Sequence, residues 1–309
     1  MSPPPRAGSR EPVRRTAEIE EITNLRFIHP LASRLVPLAA KLRISPNALT
    51  LTGMLFGLLA GLAYYRYPDA RFVVAGFVLM IGWHIMDGAD GQLARLTQSQ
   101  SHFGKVLDGI SDSATFLAVY TALALALARK YGGGAYALVS LSAVFHAIQS
   151  ASYELQRQEY ERWGWGRKEP RDPGAAAPES SRSHASVIDR SFAFLDRLFY
   201  FGLSFPTADI TRRIRATMSA ALDRPPDCAA RVRERYRRVF APLVRRWSIL
   251  SANYRTLGIF ICALFAVPEY YFWFEIFGFS ALLAVLIANE YACYRRLSLE
   301  LAAVIAPAG

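Results

Sequence analysis

Four aspartates fall within 26 residues of this 309-residue chain. Two lie in Asp87-Gly-Ala-Asp90-Gly91-Gln-Leu-Ala94-Arg95 and two, after eight intervening residues, in Gly104-Lys-Val-Leu-Asp108-Gly-Ile-Ser-Asp112. On a helix, positions three, four and seven apart share a face, so Asp87, Asp90, Gly91 and Ala94 line one stripe and Gly104, Asp108 and Asp112 another. Two adjoining helices that face these stripes would bring four carboxylates into one small volume. The flanks, 72–83 and 114–127, are apolar enough to lie in a membrane. There an unpaired carboxylate costs ~3 kcal/mol, so four cost on the order of 10 kcal/mol before their mutual repulsion. A positive partner is required, and an oxygen-only donor set selects a hard divalent cation such as Mg2+ or Mn2+. Gly91, Ala94 and Gly104 are small and leave room beside a metal. Arg95, one position off the stripe, can fork onto a phosphate. The competing reading, a solvated acidic helix face, fits neither the apolar flanks nor the helical phase of both stripes.

The elements that position these residues follow from the distribution of apolar residues. The chain is 52% hydrophobic and 13% aromatic with a net charge of +11, yet its mean hydropathy is only +0.16. Two kinds of sequence are therefore mixed: nearly uncharged stretches long enough to cross a hydrocarbon core of about 30 Å, and an Arg-rich polar remainder. The positive excess suits anionic headgroups and phosphate-bearing substrates. No nucleic-acid motif accompanies it, so nucleic acid is not an expected partner. Cys228, Cys262 and Cys293 are scattered and form no metal or redox motif.

The pattern D-x2-D-G-x2-A-R-x8-G-x3-D-x3-D resembles that of the CDP-alcohol phosphotransferases (CDP-alcohol phosphatidyltransferases), membrane enzymes of phospholipid synthesis. All eight fixed positions are filled, by Asp87, Asp90, Gly91, Ala94, Arg95, Gly104, Asp108 and Asp112. The resemblance implies transfer of a substituted phosphate from a CDP-alcohol, such as CDP-diacylglycerol, to an acceptor alcohol, with release of CMP. It implies that Asp87, Asp90 and Asp108 are metal ligands. Asp112 becomes the general base and a further ligand, and two Mg2+ or Mn2+ ions clamp the pyrophosphate. Gly91, Ala94 and Gly104 then let cytidine phosphate lie against the helices, and Arg95 holds a phosphate oxygen. A homodimer is also implied. The acceptor stays open, although the N-terminal stretch and this variant of the motif resemble inositol-type members. An intramembrane Mg-dependent prenyltransferase acting on a diphosphate is the alternative; it is expected to carry two Asp-rich motifs well apart and more spans.

The expected architecture is all-α, a polytopic membrane protein with six transmembrane helices and an N-terminal amphipathic surface helix. Residues 1–17 read as a disordered tail without the apolar run of a signal peptide. Residues 18–44 read as a juxtamembrane amphipathic helix that Pro30 and Pro37 kink or interrupt, and residues 45–155 as helices 1–4 with the motif. The stretch 156–247 reads as a basic insertion with a flexible linker at 174–183, an interfacial segment at 192–205, and a basic helix at 231–246. That helix suits either an anionic membrane face or solvent. Residues 248–296 read as helices 5–6, closed by Arg295 and Arg296, and 297–309 as a C-terminal tail. Ser45 caps the first span with Pro46 at its first position, and Asn47 and Thr50 are candidates to reach a nucleotide. About half of all Lys and Arg lie in the insertion, so the positive-inside rule puts the motif, both termini and the insertion on the cytoplasmic side of the inner membrane. Arg255, early in the fifth span, is a candidate for binding an acceptor phosphate or for pairing with an Asp of the cluster. His84 and His146 read as helix-to-helix hydrogen-bonding residues.

Overall fold

The computed structural model describes residues 18–166, 205–223 and 226–305. Among them every regular element is helical: α1 (His29–Lys41), α2 (Pro46–Tyr64), α3 (Ala70–Leu96), α4 (His102–Tyr131), α5 (Gly134–Trp165), α6 (Ala208–Leu222), α7 (Pro226–Trp247), α8 (Ala252–Leu264), α9 (Pro268–Trp273) and α10 (Phe279–Ile305). A π-helical turn, Asn24–Ile28, leads into α1, and another, Phe274–Gly278, joins α9 to α10.

Local chemistry starts the helices around the motif. The Ser45 hydroxyl accepts from the Ala48 N–H at 3.2 Å with Pro46 in the first turn of α2. Asp69 caps α3 through the Arg71 N–H at 3.0 Å, and Ser101 caps α4 through the Gly104 N–H at 2.9 Å. Each cap satisfies a donor that the helix start leaves without an intrahelical partner. Between α3 and α4 the chain turns back within a few residues, with Gln98 in left-handed backbone (φ 54°).

Helix α2 is the wedge on which α3 and α4 close. Gly53, Gly57 and Gly61 recur at four-residue spacing on one face, and small residues at that spacing let helix backbones approach. A Cβ on Gly53 would stand 3.1 Å from the Met86 Cβ of α3, one on Gly57 would collide with Thr115 of α4, and one on Gly61 would lie 2.9 Å from the Ala118 backbone carbonyl. On the far side of α3, α1 lays Ile28, Ala32 and Val36 against it, and Gly88 leaves room for Ile28 and Ala32. Leu31, Leu38 and Leu42 remain on the exposed face of α1. The helix runs unbroken through Pro37, and Pro30 lies in its first turn, where a missing N–H costs nothing. The expected interruption at these prolines is therefore absent.

Among the described residues, four helical stretches are long and apolar enough to cross a membrane: Pro46–Tyr64, Ala70–Leu96, Phe103–Tyr131 and Pro268–Leu301. The two other spans of the six-span expectation are helices of a different character. α5 carries Ser142, His146, Gln149 and Ser152. α8 has 13 residues, about 20 Å of helix at 1.5 Å per residue. The ends of the described helices sort into two levels. Turns distant from the motif meet each other, with Lys130 Nζ 3.4 Å from Glu269 and the Tyr131 hydroxyl donating to Glu269 at 2.6 Å.

At the motif's end, α5, α6, α7 and the last part of α10 form a second core around Tyr160, Ile214, Tyr236, Phe240, Trp247 and Leu297. The apolar face of the basic helix expected at 231–246 is packed, with Val232, Tyr236, Phe240 and Leu243 buried against neighbouring helices, while Arg231, Glu234 and Arg238 on its other face are exposed. The stretch assigned to an insertion from residue 156 begins as the last turns of α5, and α10 continues past Arg295 and Arg296. The linker expected at 174–183 lies outside the described residues, as does all of the segment at 192–205 but its last residue. Replacing Gly61 by Ala is expected to destabilise the protein by about 1–3 kcal/mol, because a backbone rather than a side chain must yield. Gly109→Ala, where a Cβ meets nothing within 4 Å, should leave the unfolding temperature in detergent unchanged or raised.

Candidate metal and phosphate site

Asp87 and Asp90 lie on α3 and Asp108 on α4, and the structure brings one carboxylate oxygen of each within 4.8 Å of the other two. Asp90 is buried, and Asp87 and Asp108 are half-buried. The two stripes therefore do face each other, because α2 draws both helices onto its glycine face. Asp112 lies one turn further along α4, is exposed, and stands outside this group of three. Its charge still acts on Asp108. The expected convergence of four carboxylates is thus three together with the fourth on the rim. One turn of α4 carries Asp112 about 6 Å further along the axis.

The surrounding residues complete the constellation. The Thr50 hydroxyl of α2 donates to Asp90 Oδ2 at 2.5 Å, which fixes the carboxylate's orientation. The Asn47 amide oxygen would be 3.3 Å from a Cβ placed on Gly104, so Asn47 sits beside the small residue at the start of α4. The Arg95 guanidinium lies over Gly91, 3.4 Å from where a Cβ would be. A side chain at 91 would crowd that guanidinium. Ala94 lies half-buried on the turn between them.

The donor set fits a divalent metal. Asp108 Oδ1 is buried without a hydrogen-bond partner, and it belongs to a group of three carboxylates whose oxygens lie within 4.8 Å of one another. A buried, orphaned carboxylate oxygen is costly unless a cation takes it. Oxygen-only ligands suit Mg2+ or Mn2+. Asp87, Asp90 and Asp108 are the residues that would hold such an ion.

Arg255 is placed elsewhere. It is fully buried and forms an ion pair with Glu275 of the α9–α10 π-turn. It also donates through Nη2 to the Gln149 Oε1 at 3.0 Å and through Nε to the Leu250 carbonyl at 3.3 Å. Its fork is committed to a carboxylate, an amide and a carbonyl, so the expected roles of phosphate binding and of pairing with an Asp of the cluster are both replaced by a structural one. Glu275 is the hub that the sequence reading missed. Its carboxylate accepts from Ser142, from the Tyr120 hydroxyl at 2.7 Å and from the Tyr271 hydroxyl at 2.9 Å, and lies 3.3 Å from His146 Nδ1. The signal available was an acidic residue, Glu275, within one apolar run and a lone Arg within the preceding one. His84 and His146 do join helices: His84 Nε2 meets the Thr256 hydroxyl at 3.0 Å and His146 Nδ1 meets the Tyr120 hydroxyl at 2.9 Å.

The segment before α1 closes the same end of the molecule. Glu21 accepts from the Ser251 hydroxyl at 2.5 Å, and Asn253 donates to Asn24 at 2.7 Å. Burial raises the Glu21 pKa above the ordinary carboxylate range, against the lowering effect of its Ser251, Thr23 and Asn253 donors.

Comparison with known proteins agrees with this geometry. Residues 43–168 match the CDP-alcohol phosphatidyltransferase family model, a range that holds every residue of the carboxylate site. An archaetidylinositol phosphate synthase of Pyrococcus horikoshii is 37% identical over 86 residues, 28% of this chain and 44% of that protein. An uncharacterized protein of Aquifex aeolicus is 30% identical over 133 residues, 43% of this chain and 65% of its own length. The chain thus spans less than two thirds of each of these relatives. No solved structure matches it.

Two outcomes follow from the site. Asp90→Asn and Asp108→Asn should each weaken Mn2+ binding by tenfold or more, read by electron paramagnetic resonance of free Mn2+, because each removes a ligand charge. Glu275→Gln should destabilise the fold by about 3–5 kcal/mol, since it strands a buried guanidinium. Arg255→Met combined with Glu275→Leu should recover much of that loss, as thermal unfolding in detergent will report.

Proposed function

We propose that this chain, whose residues 43–168 match the CDP-alcohol phosphatidyltransferase family model, moves a substituted phosphate from a CDP-alcohol to an acceptor alcohol and releases CMP. The observation that carries the reading is the meeting of Asp87, Asp90 and Asp108 within 4.8 Å, on the pattern whose eight positions are all filled. A divalent metal bound there supplies the positive charge that a pyrophosphate needs as its bridging bond breaks. The chain's own residues do the rest. Arg95 forks onto a phosphate oxygen, and Gly91, Ala94 and Gly104 leave the helix surfaces low enough for the nucleotide to lie on. Asn47, beside Gly104, is positioned to contact the same ligand. Thr50 keeps Asp90 oriented.

In this reading Asp112 takes the proton of the acceptor hydroxyl as it attacks the phosphorus distal to cytidine. Its exposed position one turn from the carboxylate group supports that role, because a base must reach a substrate that enters from water. The proton goes to Asp112, the bond from phosphorus to the CMP oxygen breaks, and CMP leaves with that electron pair. A CDP-linked lipid donor and a phosphorylated polyol acceptor are the proposed substrates. The support for the acceptor is the archaetidylinositol phosphate synthase relative together with the inositol-type look of the motif.

We place the chain in the cytoplasmic membrane with the motif facing the cytoplasm, α5 and α8 completing six crossings, and a homodimer as the working unit. The Arg-rich helices α6 and α7 on the motif's side support the orientation by the positive-inside rule. Purified protein given CDP-diacylglycerol, Mg2+ and inositol phosphate should release CMP and form a new phospholipid. Asp112→Asn is expected to lower the rate at least a hundredfold while keeping Mn2+ binding within a few fold, and a chelator should stop turnover. Equal rates for wild type and Asp112→Asn would remove the base assignment. Lipid product without CMP would remove the reaction class.

A further inference from the structure

A groove of about 380 Å³ opens between the end of α7, the start of α8 and the middle of α10. Its polar rim holds Arg245, Arg246, Ser248 and Asn289, and its wall holds Leu282 and Val285. None of these belongs to the carboxylate site, and none lies within residues 43–168. We propose that this groove binds one anionic phospholipid of the surrounding bilayer, headgroup phosphate at the two arginines and one acyl chain along α10.

Charge is the first argument. Among the described residues no carboxylate lines the groove, while two adjacent guanidinia do. Arg245 donates through Nε and Nη2 to the Glu18 backbone carbonyl at 3.2 and 2.7 Å. A carbonyl is neutral, so these bonds hold the guanidinium plane while its charge stays available to an anion. Both arginines are exposed in the last turn of α7. A fork of N–H donors is the group that matches a phosphate diester, and the Asn289 amide adds a neutral donor beside it, while the Ser248 hydroxyl is committed to the Arg245 carbonyl at 2.7 Å.

The wall is the second argument, and it selects a lipid over a free phosphate. Val285 is 56% exposed and Leu282 half-buried, and both lie within the membrane-crossing stretch Pro268–Leu301. Further toward the distal end the π-helical turn before α10 exposes Phe274 and Phe277, and toward its own end α10 carries Arg295 and Arg296. The groove therefore sits at the level where an apolar exterior gives way to a basic one. A phosphate alone would leave the apolar wall wet; a phospholipid covers both parts with one molecule. The inference rests on reading α9–α10 as a membrane span and not on the transfer reaction.

The test uses the full chain in neutral detergent, with dioleoylphosphatidylglycerol or dioleoylphosphatidylcholine added and bound lipid counted by native mass spectrometry. Wild type should retain phosphatidylglycerol several-fold over phosphatidylcholine. The paired change Arg245→Gln and Arg246→Gln should bring the ratio of the two lipids close to one. Arg246→Glu alone, an exposed reversal of charge, should abolish the preference and serves if the pair does not fold. Asp108→Asn should keep it, which separates this site from the carboxylate site whatever the outcome of the CMP assay. Equal retention of the two lipids, an unchanged preference in the arginine variants, or displacement of the lipid by inorganic phosphate would overturn the proposal.

Discussion

Three carboxylates repel one another where burial removes part of their solvation, and the architecture around the motif answers that constraint. Two helices must be pressed together firmly enough to keep like charges within a few ångströms. The force comes from α2, whose glycine face removes the side chains that would hold α3 and α4 away. Dispersion between closely apposed backbones is small per atom pair and large over a whole helix face. The site is thus paid for by the contact beside it rather than by interactions of its own. The Thr50 hydroxyl on Asp90 shows the same division, with α2 supplying the donor and α3 the charge.

A second polar cluster lies deeper and has the opposite character. Around Glu275 every described partner is satisfied: a guanidinium, two phenols, a hydroxyl and an imidazole converge on one carboxylate. Such a network ties α4, α5, α8 and the α9–α10 turn to each other with directional bonds, where apolar contacts alone leave helix rotation less defined. The carboxylate site differs in leaving the Asp108 oxygen without a partner. Of these two acidic clusters, the saturated one holds helices and the one with an unpartnered oxygen is able to hold a ligand.

Outside residues 43–168, the segment before α1 and helices α6 and α7 build a core against α5 and α10. Arg215 reaches Glu159 at 2.6 Å and Arg237 donates to the Gly164 carbonyl at 2.8 Å, so part of the basic excess is internal fastening. Arg245 and Arg246 at the end of α7 are the part turned toward the groove on α10. The basic composition of this region therefore serves two purposes that a count of charges does not separate.

The all-helical character, the Ser45 cap and the family pattern of the motif were legible in the sequence. Ser45, Asp69 and Ser101 start helices through bonds that span two or three residues, and the aspartates' phase on each helix follows from 3.6 residues per turn. Those are local properties, fixed by near neighbours along the chain. Which side chains meet across helices is not local. The pairing of Arg255 with Glu275 in place of a phosphate, the burial of the apolar face of the 231–246 helix in a core, and the position of Asp112 outside the group of three each depend on rotation and depth of one helix against another. That is set by the fit of whole faces, above all the match of Gly53, Gly57 and Gly61 to α3 and α4. Spacing named the residues able to hold a cation; helix contact decided which of them stand together.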